Sequence, residues 1–383
     1  MSELEYTEKG WRHTLDTTRH HRANTWNYRG KGIYHMTLVV EKRYPLFGHI
    51  IGDTAEQAAV ELNEYGKRVS RLLHDLPAFY HPKGIALKMI AIQVMPDHLH
   101  FVLQVLEPMN RSVGEIIRSF KSTCTSLYKR EYYSPTNPDD NNIAKNDNPL
   151  GDFREVAPPQ AVVDFARIFA SRGSIWLSDP AHYHERILLY KGQLQHMIDY
   201  VHDNPRRRWL KHANPDLFRI RQGIKVGNTI CTALGQIFLI NHPMRAAIQC
   251  SRSLTQPEID TLRKSCLRQA AEGMVFISPA IAEGEKQICR ALREAGYPLI
   301  ILLSEGFPPP DSPHYRFFKP QGVYFEACAA GKLLLIEPSP ELLSRPDIEA
   351  IVTAKAGKPL PHNTKRYRFL ALNALAMEIS THE

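Results

Sequence analysis

The chain is 383 residues long, 43% hydrophobic and 23% charged, with a formal net charge of +8. That length exceeds what one ordinary core serves and implies two domains, and the composition is that of a globular protein. No apolar run approaches a membrane span, Met1-Ser2-Glu3-Leu4-Glu5 lacks a signal-peptide layout, and the basic balance permits a polyanionic partner, so a cytoplasmic protein is expected.

Residues 1 to about 30 are polar and basic, with Arg19-His20-His21-Arg22 and Arg29-Gly30-Lys31-Gly32. A strand is expected over 33–40, then a helix over about 54–74 with Ala58, Val60, Leu62, Val69 and Leu72 as its apolar face. Two β-type runs follow, 85–94 and 98–105, joined at Met95-Pro96-Asp97. Ser112 with Glu115 three residues later forms a capping box that opens a helix to about residue 132. Residues 135–152, rich in Asn, Asp and Pro, read as an insertion. A short helix over 159–170 leads to strands near 174–177 and 184–189, then a helix over 191–203 that Asn204-Pro205 halts or kinks. The β-α-β-β-α-β alternation points to an α+β, ferredoxin-like layer of antiparallel sheet with helices on one face.

The second half has a different rhythm. Short buried strands near 246–249, 274–278, 299–303 and 333–337 alternate with helices that begin near Glu258, Glu283 and Gly322, as in a parallel α/β sheet of Rossmann-like type. The boundary is expected near 215–230, giving domains 1–220 and 221–383. There is no internal repeat. The six cysteines, Cys124, Cys231, Cys250, Cys266, Cys289 and Cys328, include no CxxC pair and read as reduced thiols.

The chemistry concentrates at Met95-Pro96-Asp97-His98-Leu99-His100-Phe101. Side chains alternate across a strand, so His98 and His100 share a face while Leu99 enters the core. Tyr200 and Asn204 are four residues apart and share a helical face. If that face lies over the histidine strand, Asn204 can offer its amide oxygen to a cation held by His98 and His100, and Tyr200 projects toward the same cation. A mixed nitrogen and oxygen set suits Mg²⁺ or Mn²⁺ better than zinc. The plainer readings are two satisfied strand histidines and an ordinary helix tyrosine.

These motifs resemble the single-tyrosine HUH transposases, and most closely the REP-associated tyrosine transposase group. The resemblance covers about residues 20–210. It is carried by Tyr34-His35-Met36-Thr37, Leu46-Phe47-Gly48, the His98-Leu99-His100 motif, Trp176 before Tyr183-His184-Glu185-Arg186-Ile187, and Tyr200 through Asn204-Pro205. It implies metal binding by His98, His100 and Asn204. It further implies attack by Tyr200 on a phosphate of single-stranded or hairpin DNA, giving a 5′-phosphotyrosine and a released 3′-OH, with a monomer or a homodimer as the working unit. The alternative is a domesticated HUH fold that recognises structured repeats without cleaving them. Where the family motif usually has Asn, this chain has Asp97, which adds a carboxylate near the metal, and Glu185 is a candidate for a similar auxiliary role. Arg206, Arg207, Arg208 and Lys211 follow the tyrosine and are candidate phosphate contacts, and Arg118 with Lys121 on one helix face could flank the same groove. His182, His184 and His202 read as surface or DNA-facing groups, and Trp176 as core more than as a stacking platform.

The second half resembles the Rossmann-like core of DprA-type DNA-processing proteins. The carriers are Ser251-Arg252-Ser253, the strand-end loop through Ser278-Pro279-Ala280-Ile281-Ala282-Glu283-Gly284-Glu285, Ser304-Glu305-Gly306-Phe307, and the segment from Gly322 to Gly331. Such loops at helix N-termini can bind phosphate through backbone N–H groups. There is no GxGxxG or Walker motif, so nucleotide hydrolysis has no support. A single-stranded DNA accessory and a ligand-free structural domain are both open.

Overall fold

The computed structural model describes residues 4–7, 10–13, 26–133, 160–177, 184–251, 253–307 and 323–381. The Asn/Asp/Pro-rich insertion at 135–152, and His182 and Arg252, lie outside the described residues. The chain divides into two compact units, Met1–Trp209 and Leu210–Glu383. No helix of the described residues is long and apolar enough to cross a membrane.

The first unit opens with an antiparallel pair, β1 (Leu4–Thr7) and β2 (Gly10–His13), where only a polar segment was expected. Next come β3 (Gly32–Val39), a second antiparallel pair, β4 (Gly48–Ile51) and β5 (Ala59–Leu62), and helices α1 (Glu64–His74) and α2 (Leu76–Tyr80). The helix expected from residue 54 therefore begins ten residues later. Val60 and Leu62 are period-2 positions of β5, and the helix starts only where the Asn63 side chain accepts the Gly66 N–H at 2.8 Å. Two glycines make this corner possible. A Cβ on Gly48 would strike the Glu61 carbonyl and one on Gly66 the Phe47 carbonyl, which accounts for the glycine of the Leu46-Phe47-Gly48 motif.

Strands β6 (Leu87–Met95) and β7 (His98–Val105) follow, then α3 (Val113–Tyr132), α4 (Gln160–Arg172), β8 (His184–Ile187), α5 (Gln193–His202) and α6 (Asn204–Ala213). The Ser112 capping box opens α3 as expected. At 174–177 there is only an isolated bridge, between Trp176 and Val40. Asn204-Pro205 breaks α5 from α6 without ending the helical path. Proline at the second position of a new helix lacks an N–H that would be unpaired there anyway, and Arg207 N–H already reaches the Asp203 carbonyl at 3.0 Å.

The main sheet of this unit runs β6-β7-β3-β8, antiparallel throughout. Register sorts its residues between two faces. Tyr34, Met36 and Leu38 of β3 stand with Leu99, Phe101 and Leu103 of β7 in one core, which Tyr65, Val69 and Leu73 of α1, Ile116, Ile117 and Phe120 of α3, and Phe165 of α4 complete. The opposite face carries His35, Thr37, His98, His100 and Val102, and there Met197 and Val201 of α5 pack on Ala91 and Val102. Helices therefore cover both faces, where one was expected. Most of the apolar area goes to the first face, and α5 seals the second with a narrow stripe.

The second unit has the sheet β11-β12-β13-β14-β10-β9, formed by β9 (Arg221–Val226), β10 (Thr229–Gly235), β11 (Arg245–Ala247), β12 (Val275–Ser278), β13 (Leu299–Leu302) and β14 (Leu333–Pro338). β11 to β14 are mutually parallel, and β10 and β9 run antiparallel beyond β14. Helices α7 (Gln256–Ala271), α8 (Glu283–Glu294) and α9 (Val323–Ala329) connect the parallel strands, and α10 (Pro346–Ala356) and α11 (Lys365–Glu378) close the chain. Val275, Ile277, Ile300, Leu302, Leu334 and Ile336 face the α10–α11 side. Phe276, Leu299, Ile301, Leu333 and Leu335 face the α7–α8 side. A sheet buried on both faces needs apolar residues at every position, which is why these strands read as unbroken hydrophobic runs.

Candidate active site

The histidine pair starts β7 immediately after the two-residue turn Pro96-Asp97, and the antiparallel register sets Val39 opposite His98 and Thr37 opposite His100. His98 and His100 are both buried, with ring centroids 4.7 Å apart. Each imidazole is oriented through Nδ1. Asp97, itself buried, lies with Oδ1 2.6 Å from His98 Nδ1. Thr37 Oγ1 at 3.0 Å and His35 Nε2 at 3.2 Å lie against His100 Nδ1, and the His35 ring stacks on His100 at 5.2 Å. A histidine held at Nδ1 presents Nε2 as its ligating atom, the arrangement usual around metal-binding imidazoles.

Tyr200, on the last turn of α5, faces the same group. Its ring meets His100 edge-on at 5.4 Å and His35 at 5.9 Å, while the side chain keeps 38% of its surface exposed, enough for a substrate to reach it. The helix thus brings its tyrosine onto the histidines of its own chain. Burial pushes the Tyr200 phenol up from its ordinary value, and the Arg207, Arg186 and Arg43 guanidiniums oppose that push without cancelling it. Arg207 lies nearest, 5.7 Å from the ring centroid. Asn204 is buried at the start of α6, and its amide nitrogen donates to the Tyr200 carbonyl at 2.7 Å. With that nitrogen held by the helix backbone, the amide oxygen is the donor atom the residue could give a cation.

Asp97 is where the chain differs from the expected motif, and both of its oxygens are used. Oδ2 lies 3.3 Å from Arg208 and 3.6 Å from Arg43. Burial pushes the carboxyl up, but the His98 hydrogen bond and charge, with Arg208 and Arg43, outweigh it and hold Asp97 well below the usual carboxylate range. His35 shows the opposite balance: burial, aided by the Arg186 charge, lowers it to about 4, so it is neutral near pH 7.

Other expected residues fall elsewhere. Glu185 stands beside Met36 in the register, on the face opposite the histidines, and its charge acts on the Tyr34 phenol, so it is no auxiliary metal group. Lys121 is buried within α3, whereas Arg118 is exposed, so the two do not form one DNA-facing pair. Residue 121 falls at helical spacing from the core residues Ile117, Cys124 and Tyr128, on the inward side of the helix. Trp176 is core, packed on Phe47 and donating to the Lys121 carbonyl at 2.9 Å. Arg206 pairs with Asp203 at 2.6 Å, His202 is exposed, and Lys211 belongs to the second unit, its ammonium 5.3 Å from the Phe325 ring centroid.

The sequence marks no site role for His35, Thr37 or Arg43, although the first two lie in the Tyr34-His35-Met36-Thr37 motif. The polar alternation of His35 and Thr37 in an otherwise apolar strand was the available signal, and antiparallel pairing carries it to His100. Arg43 gave no signal, since it follows the strand in a turn where Lys42 and Arg43 both adopt left-handed backbone (φ 54° and 52°).

Among the described residues no three His, Cys, Asp or Glu side chains are grouped to hold a metal ion. In the second unit, the strand-end loop expected to bind phosphate carries its own anion. Glu285 accepts from the backbone N–H groups of Ile281 at 2.7 Å and Ala282 at 3.2 Å at the start of α8.

No family model matches the chain. An uncharacterized protein of Haemophilus influenzae is 26% identical over 148 residues, covering 30% of this chain and 77% of its own length. Among solved structures, the chain is similar to a REP-associated tyrosine transposase bound to a REP hairpin. That likeness has a TM-score of 0.26 at 12% identity and covers 49% of this chain and 74% of that one. It is also similar to a candidate transposase of Deinococcus radiodurans, with a TM-score of 0.22 at 13% identity, covering 48% and 96%.

Proposed function

We propose that this protein is a metal-dependent DNA strand transferase that nicks and rejoins single-stranded or hairpin DNA through a 5′-phosphotyrosine on Tyr200. The observation that carries the reading is the edge-on packing of the Tyr200 ring against His100 and His35 within one chain. A tyrosine does not need to lie over two oriented imidazoles for stability alone. In this reading the first unit is a ferredoxin-like HUH domain, the second a Rossmann-like, DprA-like accessory, and one chain suffices for the chemistry.

The donor set fits a hard divalent ion. Two imidazoles and one amide oxygen, His98, His100 and Asn204, suit Mg²⁺ or Mn²⁺ with water and phosphate oxygens filling the remaining positions. When bound, such an ion neutralises phosphate charge and orients the scissile group. The protein's own residues do the rest. Tyr200 Oη forms a bond to phosphorus, the bond from phosphorus to the 3′ oxygen breaks, and the phenol proton is balanced by the one the departing 3′-OH acquires. Arg207, Arg186 and Arg43 favour the phenolate against the burial that disfavours it. Ester energy is conserved, so a 3′-OH can reverse the step without a nucleotide.

Incubation of the full chain with hairpin-bearing single-stranded DNA, labelled on the 3′ side of the nick, tests this with Mn²⁺ or Mg²⁺ present. A covalent adduct that forms with the parent and disappears with Tyr200→Phe is the expected result. Tight binding with no adduct on any repeat-derived hairpin would leave the non-cleaving recognition protein as the reading.

A further inference from the structure

We propose that Asp97 is a positioning residue that couples the metal-site histidine to the helix following the nucleophile: one carboxylate oxygen sets His98, and the other holds Arg208. This rests on the reading of the site given above and adds to it a link between cation binding and Tyr200 placement.

Three separate pieces of chain meet at this one carboxylate. The first is the turn between β6 and β7, which supplies Asp97 itself. It is bolted in place by backbone bonds, Val40 N–H to the Asp97 carbonyl at 2.9 Å and Phe47 N–H to the Pro96 carbonyl at 3.0 Å. The second is α6, whose Arg208 lies four residues beyond Asn204 and eight beyond Tyr200, and reaches Oδ2 at 3.3 Å. The third is the turn after β3, whose Arg43 reaches the same oxygen at 3.6 Å. Two consecutive non-glycine residues there, Lys42 and Arg43, hold left-handed backbone, a conformation that persists only where its surroundings over-determine it. Asp97 is 1% exposed while the Arg43 and Arg208 side chains are 30% and 40% exposed, so the arginines span from solvent to a fully enclosed acid.

The chemistry explains why this position needs a carboxylate. An aspartate offers acceptors on both oxygens, one for the Nδ1–H of His98 and one for two guanidiniums. An asparagine, the residue the family motif usually has here, offers one acceptor and one N–H₂ donor. Set toward His98 with its oxygen, it would turn a donor against Arg208 and Arg43. The clamp and the carboxylate therefore go together in this chain. Loss of the carboxylate costs His98 its anionic partner and frees α6 from the histidine turn at the same time. Loss of Arg208 alone leaves the Asp97–His98 hydrogen bond and the Arg43 pair in place and releases the helix.

That asymmetry supplies the test. Mn²⁺ affinity is measured by the loss of the free-ion EPR signal on full-length protein carrying Tyr200→Phe. Cleavage is measured at saturating Mn²⁺ on protein that keeps the tyrosine. Asp97→Asn should weaken Mn²⁺ binding by roughly 10- to 100-fold, the range for partners of ligating histidines. Arg208→Gln should bind Mn²⁺ within about twofold of the parent yet cleave about tenfold more slowly when saturated, and Arg208→Lys should restore part of that rate. A merely structural role would move melting temperature and would not separate affinity from saturated rate. Asp97→Asn with parental Mn²⁺ affinity overturns the proposal, as does Arg208→Gln with parental cleavage. If Asp97→Asn does not fold, the Arg208 pair decides. A parent protein whose Mn²⁺ binding is absent, or unaffected by His98→Ala with His100→Ala, removes the metal-site reading and this inference with it. A parent that binds and cleaves while the Asp97 and Arg208 variants do likewise removes the coupling alone.

Discussion

The two units use the second face of a β-sheet in opposite ways. In the second unit β12, β13 and β14 give apolar residues to both faces, and the only buried polar side chain on them is Ser278 at a strand end. In the first unit the core face is equally apolar, but the other face of β3 and β7 carries His35, Thr37, His98 and His100 beneath the short helix α5. Burying imidazoles costs free energy that packed aliphatic side chains would not, and it is tolerated only where every group has a partner. Asp97, Thr37 and His35 supply those partners. The comparison therefore separates a sheet built for stability from one that gives up stability to keep a polar site.

The largest effect should come from the stability side. Leu334→Ala, at a fully buried position of β14, should cost about 2–5 kcal/mol in urea unfolding of the full chain and leave cleavage per folded molecule unchanged. A cost near zero would mean the second sheet is not the packed layer described. On the first unit the expected signs reverse. His35→Phe leaves His100 Nδ1 with Thr37 as its neighbour, so stability should stay within about 1 kcal/mol while cleavage falls roughly 10- to 100-fold. A variant that loses stability and keeps its rate would show that His35 is only core.

A smaller effect tests burial in the second unit by pH. Burial pushes the thiols of Cys231 and Cys289 up to about 12 from an ordinary value near 9. Their protonated forms are favoured by folding, so this stability is complete below pH 9 and is lost as pH rises toward 12, because the unfolded chain gives up these protons first. The expected slope is about 1.4 kcal/mol per pH unit and thiol within that window. Urea melts at pH 8.5 and 10 check it, and Cys231→Ala with Cys289→Ala should lessen the difference by their share, leaving the part due to Cys124, Cys266 and Cys328, which burial also raises.

The part of the fold written in local pattern could be read in advance. Strand β7 and the Ser112 start of α3 follow from alternation and a capping box, and the four parallel strands follow from unbroken apolar runs. The β4–β5 pair could not be read the same way. Val60 and Leu62 fit a helix as well as a strand over so short a span, and only the glycine contacts of Gly48 and Gly66 decide between them. The site divides similarly. His98, His100 and Tyr200 are marked by spacing, and they meet in the structure. Arg43, Arg208 and His35 act through pairings between distant segments, which depend on register and on turn geometry that the chain does not announce. Lys121 shows the converse, since a cation on a helix reads as surface until the core around it is assembled.

The Glu285 carboxylate accepts from the Ile281 and Ala282 amides just ahead of α8, so this helix carries a negative charge of its own at its N-terminal approach. Because that charge is covalently attached, its effective concentration is set by the chain and not by the solution. The Ile281 and Ala282 N–H groups of this strand-end loop are thus satisfied from within the chain, whatever the anion content of the solution.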